Sequence, residues 1–330
     1  MDDDRRQGVL TVARLGAVAA ILLGFCFSSN RLFSVDPPQQ EKNAAPTTKS
    51  FESAAGSPEP AVIAESAAAI DSFSGQFLYL KNENAREYPA SSTKILTALL
   101  VIEAGNLDKQ VTIDLADTKV EPSNLDLKPG EVYTRRQLLF GMMLKSANDV
   151  AMALARDNAG SVDAFAEKMT RRAAELGATD SHFKNPHGLH DPDHYTTAHD
   201  LALIARAAME QPFFRQVVST IYYTWKSPKG TVSQLRNHNR LLRHYAGCNG
   251  LKTGFTRAAQ QVLVSSALRD GHEVISVVLH TNKPGIWDDS KVLLSYGLIK
   301  VGCPPDVVAA TGVQKVQEKD EETSEGDEGR

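Results

Sequence analysis

The sequence predicts an α+β fold in which an antiparallel sheet is covered by helices. Three observations lead there. Short β-prone runs lie towards both ends of the central region, the stretch between them is rich in helical periodicity, and the late strands form a tight hairpin. With 330 residues, 42% of them hydrophobic, the chain can bury a sizeable core as one large domain or two small ones.

The first strand is read at Ala67–Ile70, followed by a Ser-Phe-Ser-Gly turn and a second strand at Gln76–Leu80. "EYPASSTKILTALL" then opens a helix. Ile95, Leu96, Leu99 and Leu100 recur at helical spacing, Pro89 and the serine pair mark the start, and Gly105 marks the end. Thr134 caps a helix running to about Lys145, and another spans Asp149 to Asp157. Ser161 caps an amphipathic helix that stops at Gly177, and Thr197 and Asp200 stand at capping-box spacing before "LALIARAAM". "QVLVSSALRDGHEVISVVLH" reads as a hairpin around Asp270-Gly271, a type I′ signal, and "DDSKVLLSYGL" as a closing helix.

The ends differ in character from this core. Arg5, Arg6 and Arg14 precede a mostly apolar run from Leu15 to Phe27, short for a membrane span but suited to a signal-peptide core. Residues 1–29 are therefore expected to be a signal peptide, or an uncleaved anchor to the cytoplasmic membrane, and the protein to be exported. The Pro-, Ser-, Ala- and Thr-rich stretch 30–60 reads as a flexible linker, 61–303 as the folded domain, and 304–330 as an acidic tail. From Gln317 onwards the tail carries a net charge of -5 out of the chain's -4, so the body is nearly neutral and nucleic acid is excluded as a partner. Once the signal is removed only Cys248 and Cys303 remain; an oxidising compartment allows them to pair, but pairing cannot be read from sequence.

Three short motifs carry the chemistry. Ser91 and Lys94 are spaced to share a helix face, which brings an amine beside a hydroxyl. A partly buried lysine loses its proton readily and can act as a base. Alone, S-x-x-K also describes a capping serine followed by a solvated lysine. Further along, "KSANDVAMALA" places Ser146 and Asn148 on a connection between two helices, and "GLKTGFT" places Lys252, Thr253 and Gly254 on a strand at the sheet edge, directly before the hairpin. The order S-x-x-K, S-x-N, K-T-G, at spacings of 55 and 106 residues, matches the motif set of serine β-lactamases and penicillin-binding proteins.

On these residues the chain resembles the low-molecular-mass penicillin-binding proteins that are D-alanyl-D-alanine carboxypeptidases. "YPASSTKILTALLVIE", "MLKSANDVAMALA", "FKNPHGL", "HYTTAHDLALIAR", "NHNRLL" and "GLKTGFT" look like that family's signature stretches in its order, from about Pro60 to Gly302. The resemblance implies a β-lactamase/DD-peptidase-like fold, with a helical subdomain beside the sheet and the active site between them. It implies a serine carboxypeptidase that takes the terminal D-alanine from peptidoglycan stem peptides ending in D-Ala-D-Ala, outside the cytoplasm, with β-lactams as covalent inhibitors and without cofactor or metal. Ser91 would be the nucleophile, Lys94 its base, Ser146 a proton relay and Asn148 an orienting group. Lys252 and Thr253 would hold the substrate carboxylate, Gly254 would admit the substrate backbone, and the backbone N–H groups of Ser91 and Phe255 would form the oxyanion hole.

The chain departs from the family's pattern at three places. Asn249 stands where the family often has Asp, Ala259-Gln260-Gln261-Val262 where it has Ala-Gly-x-Cys, and Ile286 where relatives often carry Arg near the carboxylate site. Rival readings are a β-lactamase, a DD-endopeptidase, a non-catalytic wall-binding protein and a metallopeptidase. A class A β-lactamase needs an E-x-x-L-N element after S-x-N, whereas "EPSNL" precedes Ser146 and lacks the final Asn. Intact Ser91, Lys94, Ser146, Asn148 and Lys252 weigh against a non-catalytic role. His187, His190, His194 and His199 crowd one stretch, yet their spacing fits neither H-E-x-x-H nor a paired C-x-x-C site.

Overall fold

A computed structural model describes residues 58–304, which belong to one compact unit. The signal or anchor expected at 1–29, all but the end of the 30–60 linker, and the 304–330 tail beyond its first residue lie outside the described residues. In chain order the elements are β1 (Ser66–Asp71), β2 (Phe77–Lys81), a 3₁₀ turn (Ala90–Thr93), α1 (Lys94–Glu103), β3 (Gln110–Thr112), β4 (Val132–Thr134), α2 (Arg135–Lys145), α3 (Asn148–Ala159), α4 (Val162–Glu175) and α5 (Ala198–Met209). There follow α6 (Pro212–Ser219), β5 (Tyr222–Lys226), β6 (Val232–Arg236), α7 (Leu241–His244), β7 (Cys248–Thr256), β8 (Gln260–Arg269), β9 (His272–Thr281) and α8 (Lys283–Lys300).

Five strands form one antiparallel sheet in the order β2-β1-β9-β8-β7, which puts β7 at an edge. The pleat sends alternate side chains to opposite faces. On one side Ala68, Ile70, Val262, Val264, Ile275, Val277 and Leu279 join the larger core with α1 to α6. On the other, Ala67, Ala69, Leu263, Ala267, Val274 and Val278 meet Ile286, Leu293, Leu294 and Leu298 of α8. Both faces are covered, so the strands read as apolar runs rather than strict alternation. The α+β prediction holds.

Local rules account for most boundaries. Asp270 and Gly271 have φ of +47° and +77°, as a type I′ turn requires. Thr134 and Gln137 form a reciprocal capping box at the start of α2. At α5 only half of the expected box forms. The Thr197 hydroxyl accepts from the Asp200 N–H, but the Asp200 carboxylate accepts from Asp180 N–H and the Ser181 hydroxyl instead of reaching back. The serine pair before α1 does not cap it either; both serines lie in the 3₁₀ turn. That difference matters for the site. Cys248 and Cys303 stand as separate thiols. No helix among the described residues is long and apolar enough to cross a membrane.

Candidate active site

Helix α1 is apolar on nearly every face, so it is buried all round rather than laid on a surface. Lys94, its first residue, is therefore 0% exposed. Its amine makes three contacts: Asn148 Oδ1 at 2.7 Å, the His187 carbonyl at 2.7 Å and Ser91 Oγ at 3.0 Å. The first two partners can only accept. Asn148 is fixed in that sense because its Nδ2 donates to the Pro122 carbonyl. The hydroxyl of Ser91 alone can reverse its role and donate to a neutral amine. A neutral Lys94 thus keeps every hydrogen bond, with its lone pair on Ser91. Burial drives its pKa well below that of an ordinary lysine, the Lys252 charge adds to the shift, and Asp149 opposes it.

Ser91 sits in the 3₁₀ turn, on the last residues before α1, where the chain is half-buried and strained. Ala90 before it has φ of +45°. Ser92, by contrast, is buried and donates to the Pro89 carbonyl at 2.6 Å. The turn is held from behind by the "FKNPHGL" loop. A Cβ at Gly188, whose φ is +88°, would lie 1.8 Å from the Ala90 carbonyl oxygen, so only glycine fits there. Pro186 O accepts from Thr97, and the Nδ1 of His194 accepts from Lys184 N–H. That leaves the Nε2–H of His194 to donate to Thr93 Oγ1 at 2.9 Å. Burial first, with the lysine and histidine charges added, lowers His187 to about 3; His194 also falls to about 3, mainly through burial. Both rings are neutral spacers. His190 packs edge-on to Tyr88 and His199 stacks on Phe77. Among the described residues, the one trio of ligand-type side chains close enough for a metal, Glu65, Glu87 and His280, includes none of these four.

Ser146 is the C-cap of α2, in the left-handed region at φ +60°, which turns its hydroxyl into the same cleft as Ser91. Asn148 begins α3. Buried Asp149 accepts from the N–H groups of Leu125, Leu127 and Val150 and so pins the loop whose Pro122 and Ser123 carbonyls meet Asn148. On the facing wall, β7 runs past the nucleophile so closely that a Cβ at Gly254 would stand 2.8 Å from Ser91 N. Thr253, Gly254 and Phe255 line the cleft, whose volume is about 560 Å³. Lys252 sits behind this wall, 1% exposed, donating to the Thr253 carbonyl at 2.9 Å, and burial lowers its pKa to about 7. β7 is an edge strand, the position at which a sheet can accept an extended peptide as a further strand.

Comparison with known proteins decides the family. The family model described as D-alanyl-D-alanine carboxypeptidase, peptidase S11, matches residues 52–283. The chain belongs to this D-alanyl-D-alanine carboxypeptidase family. A curated relative, D-alanyl-D-alanine carboxypeptidase DacB2 of Mycobacterium tuberculosis, is 38% identical over 68% of this chain and 78% of its own length. The solved Streptomyces K15 DD-transpeptidase superposes with a TM-score of 0.70 at 35% identity, over 74% of this chain and all of that one. A putative penicillin-binding protein homolog from Mycobacterium tuberculosis gives a TM-score of 0.71 at 36% identity, over 74% and 95%. The DD-peptidase fold is thereby established for this chain.

Within the carboxypeptidase family, the departures now acquire physical meaning. Asn249 does not line the cleft: its Nδ2 donates to Glu273 Oε1 at 2.7 Å and its Oδ1 accepts from Ser266. Gln260 occupies the family's glycine position with φ of +54°, a backbone that glycine adopts without strain. Ile286 is 2% exposed and serves the α8 core while bordering the cleft. Sequence reasoning missed the carbonyl of His187 and the anchoring by Asp149. The "FKNPHGL" stretch pointed to the first through its glycine; nothing in the sequence singled out the second.

Proposed function

We propose that Ser91 is acylated by peptides ending in D-Ala-D-Ala and that the acyl-enzyme is then hydrolysed. The observation that carries this reading is the contact set of Lys94, in which only the bond to Ser91 can reverse direction. Neutral Lys94 takes the Ser91 proton as Oγ attacks the penultimate carbonyl. The oxyanion forms at the start of α1, where the backbone N–H of Ser91, and that of Phe255 across the cleft, are the donors. Lys94 returns the proton through Ser146 to the departing D-alanine amine, and the C–N bond breaks. Water, activated by the same lysine, then attacks the ester and restores Ser91. Asn148 orients Lys94, Thr253 receives the terminal carboxylate, and the charge of Lys252 behind it attracts that carboxylate. A β-lactam ring presents a similar carbonyl to Ser91 and leaves a stable ester, so penicillins label the site.

Peptidoglycan lies outside the cytoplasm, and we assign export to the Arg-flanked apolar run near residues 15–27, which falls outside the described residues. Mass spectrometry of the protein with a labelled penicillin and with a D-Ala-D-Ala peptide tests the activity. Ser91→Ala is expected to lose both the adduct and D-alanine release, and Ser92→Ala to keep most of each. An adduct mapped to Ser92 would overturn the assignment.

A further inference from the structure

Away from the cleft, several arginines hold carboxylates, as Arg135 does Asp157, Arg156 Asp117, Arg172 Glu103 and Arg215 Glu273. Around the cleft the pattern breaks. Lys145, Arg236, Arg240, Arg243 and Lys283 all line it, no Asp or Glu does, and none of the five makes an ion pair among the described residues. The field they create is felt by His238 on the same wall, lowered to about 4 by burial and then by Lys252, Lys145 and Arg236. Unanswered like charges gathered in one cleft repel each other in the folded state and steer anions into it. One terminal carboxylate, met by Thr253 and Lys252, does not account for five more cations.

Three of them share one short segment. Arg236 ends β6, Arg240 caps α7 with its guanidinium 5.9 Å from the Trp287 ring, and Arg243 lies within α7. A guanidinium fork matches a carboxylate through two parallel hydrogen bonds. In a substrate that loses its last residue, only one residue lies beyond the scissile bond. Any second carboxylate must therefore sit on the acyl side. Building on the carboxypeptidase reading, we propose that Arg236, Arg240 and Arg243 form a second anion subsite that selects peptides with a free carboxylate upstream of D-Ala-D-Ala over the same peptides with a carboxamide there.

The test uses two peptides ending in D-Ala-D-Ala that differ only in carboxylate against carboxamide at the upstream acidic residue. Calorimetric titration into the Ser91→Ala protein is expected to show the acid bound roughly tenfold tighter or more at low salt. In about 0.5 M salt, where screening shortens to a few ångströms, the gap should narrow. The Arg236→Gln, Arg240→Gln, Arg243→Gln triple variant should bring the two peptides level. Equal binding to the protein with its arginines intact, or a gap that persists in the triple variant, overturns the subsite. Hydrolysis of either peptide by the unmodified protein is scored separately. If neither is cut, the activity reading fails, while the binding comparison still decides the subsite.

Discussion

Buried charge is handled in opposite ways at two places that β7 touches, one through Asn249 and the other through Lys252. At one, Glu273 is 0% exposed and is held by the two-pronged guanidinium of Arg215, at 2.5 and 2.7 Å, and by Asn249. Burial alone would raise its pKa, but these bonds outweigh it and hold the carboxyl below its ordinary value. At the other, Lys94 and Lys252 are as deeply buried, yet their hydrogen-bond partners are neutral, and Lys94 lies in the field of Lys252. The first arrangement fixes a charge; the second makes a charge easy to lose. Where the fold needs an ion it supplies the counterion, and where the chemistry needs a base it supplies a like charge.

The largest effect should come from removing the ability to lose that charge. Lys94→Arg keeps a cation that cannot deprotonate near neutral pH, so acylation by a labelled penicillin should fall by about 10²–10⁴. Thermal melts must first show that the variant is folded, since the site has no spare room. The pH profile supplies the sign. In the unmodified protein, acylation should rise with pH as Lys94, lowered by burial and by Lys252, gives up its proton. For a peptide with a terminal carboxylate, kcat/KM should fall again as pH passes about 7, where Lys252 becomes neutral and attracts the anion less. A Lys94→Arg protein that acylates within a few fold of the original would erase the contrast between the two sites.

Next in size is the loss of the counterion at the structural site. Arg215→Ala leaves Glu273 buried without its cation. A fully buried pair broken in this way costs roughly 3–5 kcal/mol; with the arginine about one-third exposed, about 2–3 kcal/mol is expected in urea denaturation. Penicillin acylation well below the melting temperature should barely change, because Arg215 does not reach the cleft. A cost under about 0.5 kcal/mol would mean that this ion pair is ornamental and the comparison fails from the other side.

How far the sequence revealed this arrangement depends on the range of the interaction. Caps, the Asp270-Gly271 turn and the runs that become β1, β8 and β9 are local signals, and they were legible. Hairpin β5–β6 was not, because its residues are mostly exposed and carry no clean apolar alternation. The three-residue strands β3 and β4 are too short to show any period. At the site, the motifs named Lys94, which bonds Ser91, and Gly254, which passes close beside it, because chemistry constrains residue type at fixed spacing. They did not reveal that the His187 carbonyl holds Lys94, since a backbone acceptor leaves no trace in side-chain identity. Nor could they reveal Glu273 with Arg215, 58 residues apart in the chain and joined only by the folding of the sheet.

The smallest expected effect isolates Asn249, which joins the structural site and departs from the family's usual Asp. Its Oδ1 accepts from Ser266, a role that a carboxylate could keep, so Asn249→Asp changes only the group facing Glu273. That change turns a donor at 2.7 Å into a second carboxylate. Two carboxylates at this range cannot both ionise freely, so one pKa must rise in the folded state. A rise of one unit corresponds to about 1.4 kcal/mol lost at neutral pH. The sign then reverses relative to the original protein. Glu273, with its lowered pKa, contributes stability that is present above the unfolded carboxyl pKa and lost as pH falls through the folded one. The raised carboxyl of the variant is best tolerated when protonated, so the variant's deficit should be small near pH 3 and grow by about 1 kcal/mol towards pH 6. Urea denaturation of both proteins at the two pH values measures the difference directly. A deficit that does not change with pH would show that Asn249 acts through shape alone, and that Arg215 by itself answers the charge of Glu273.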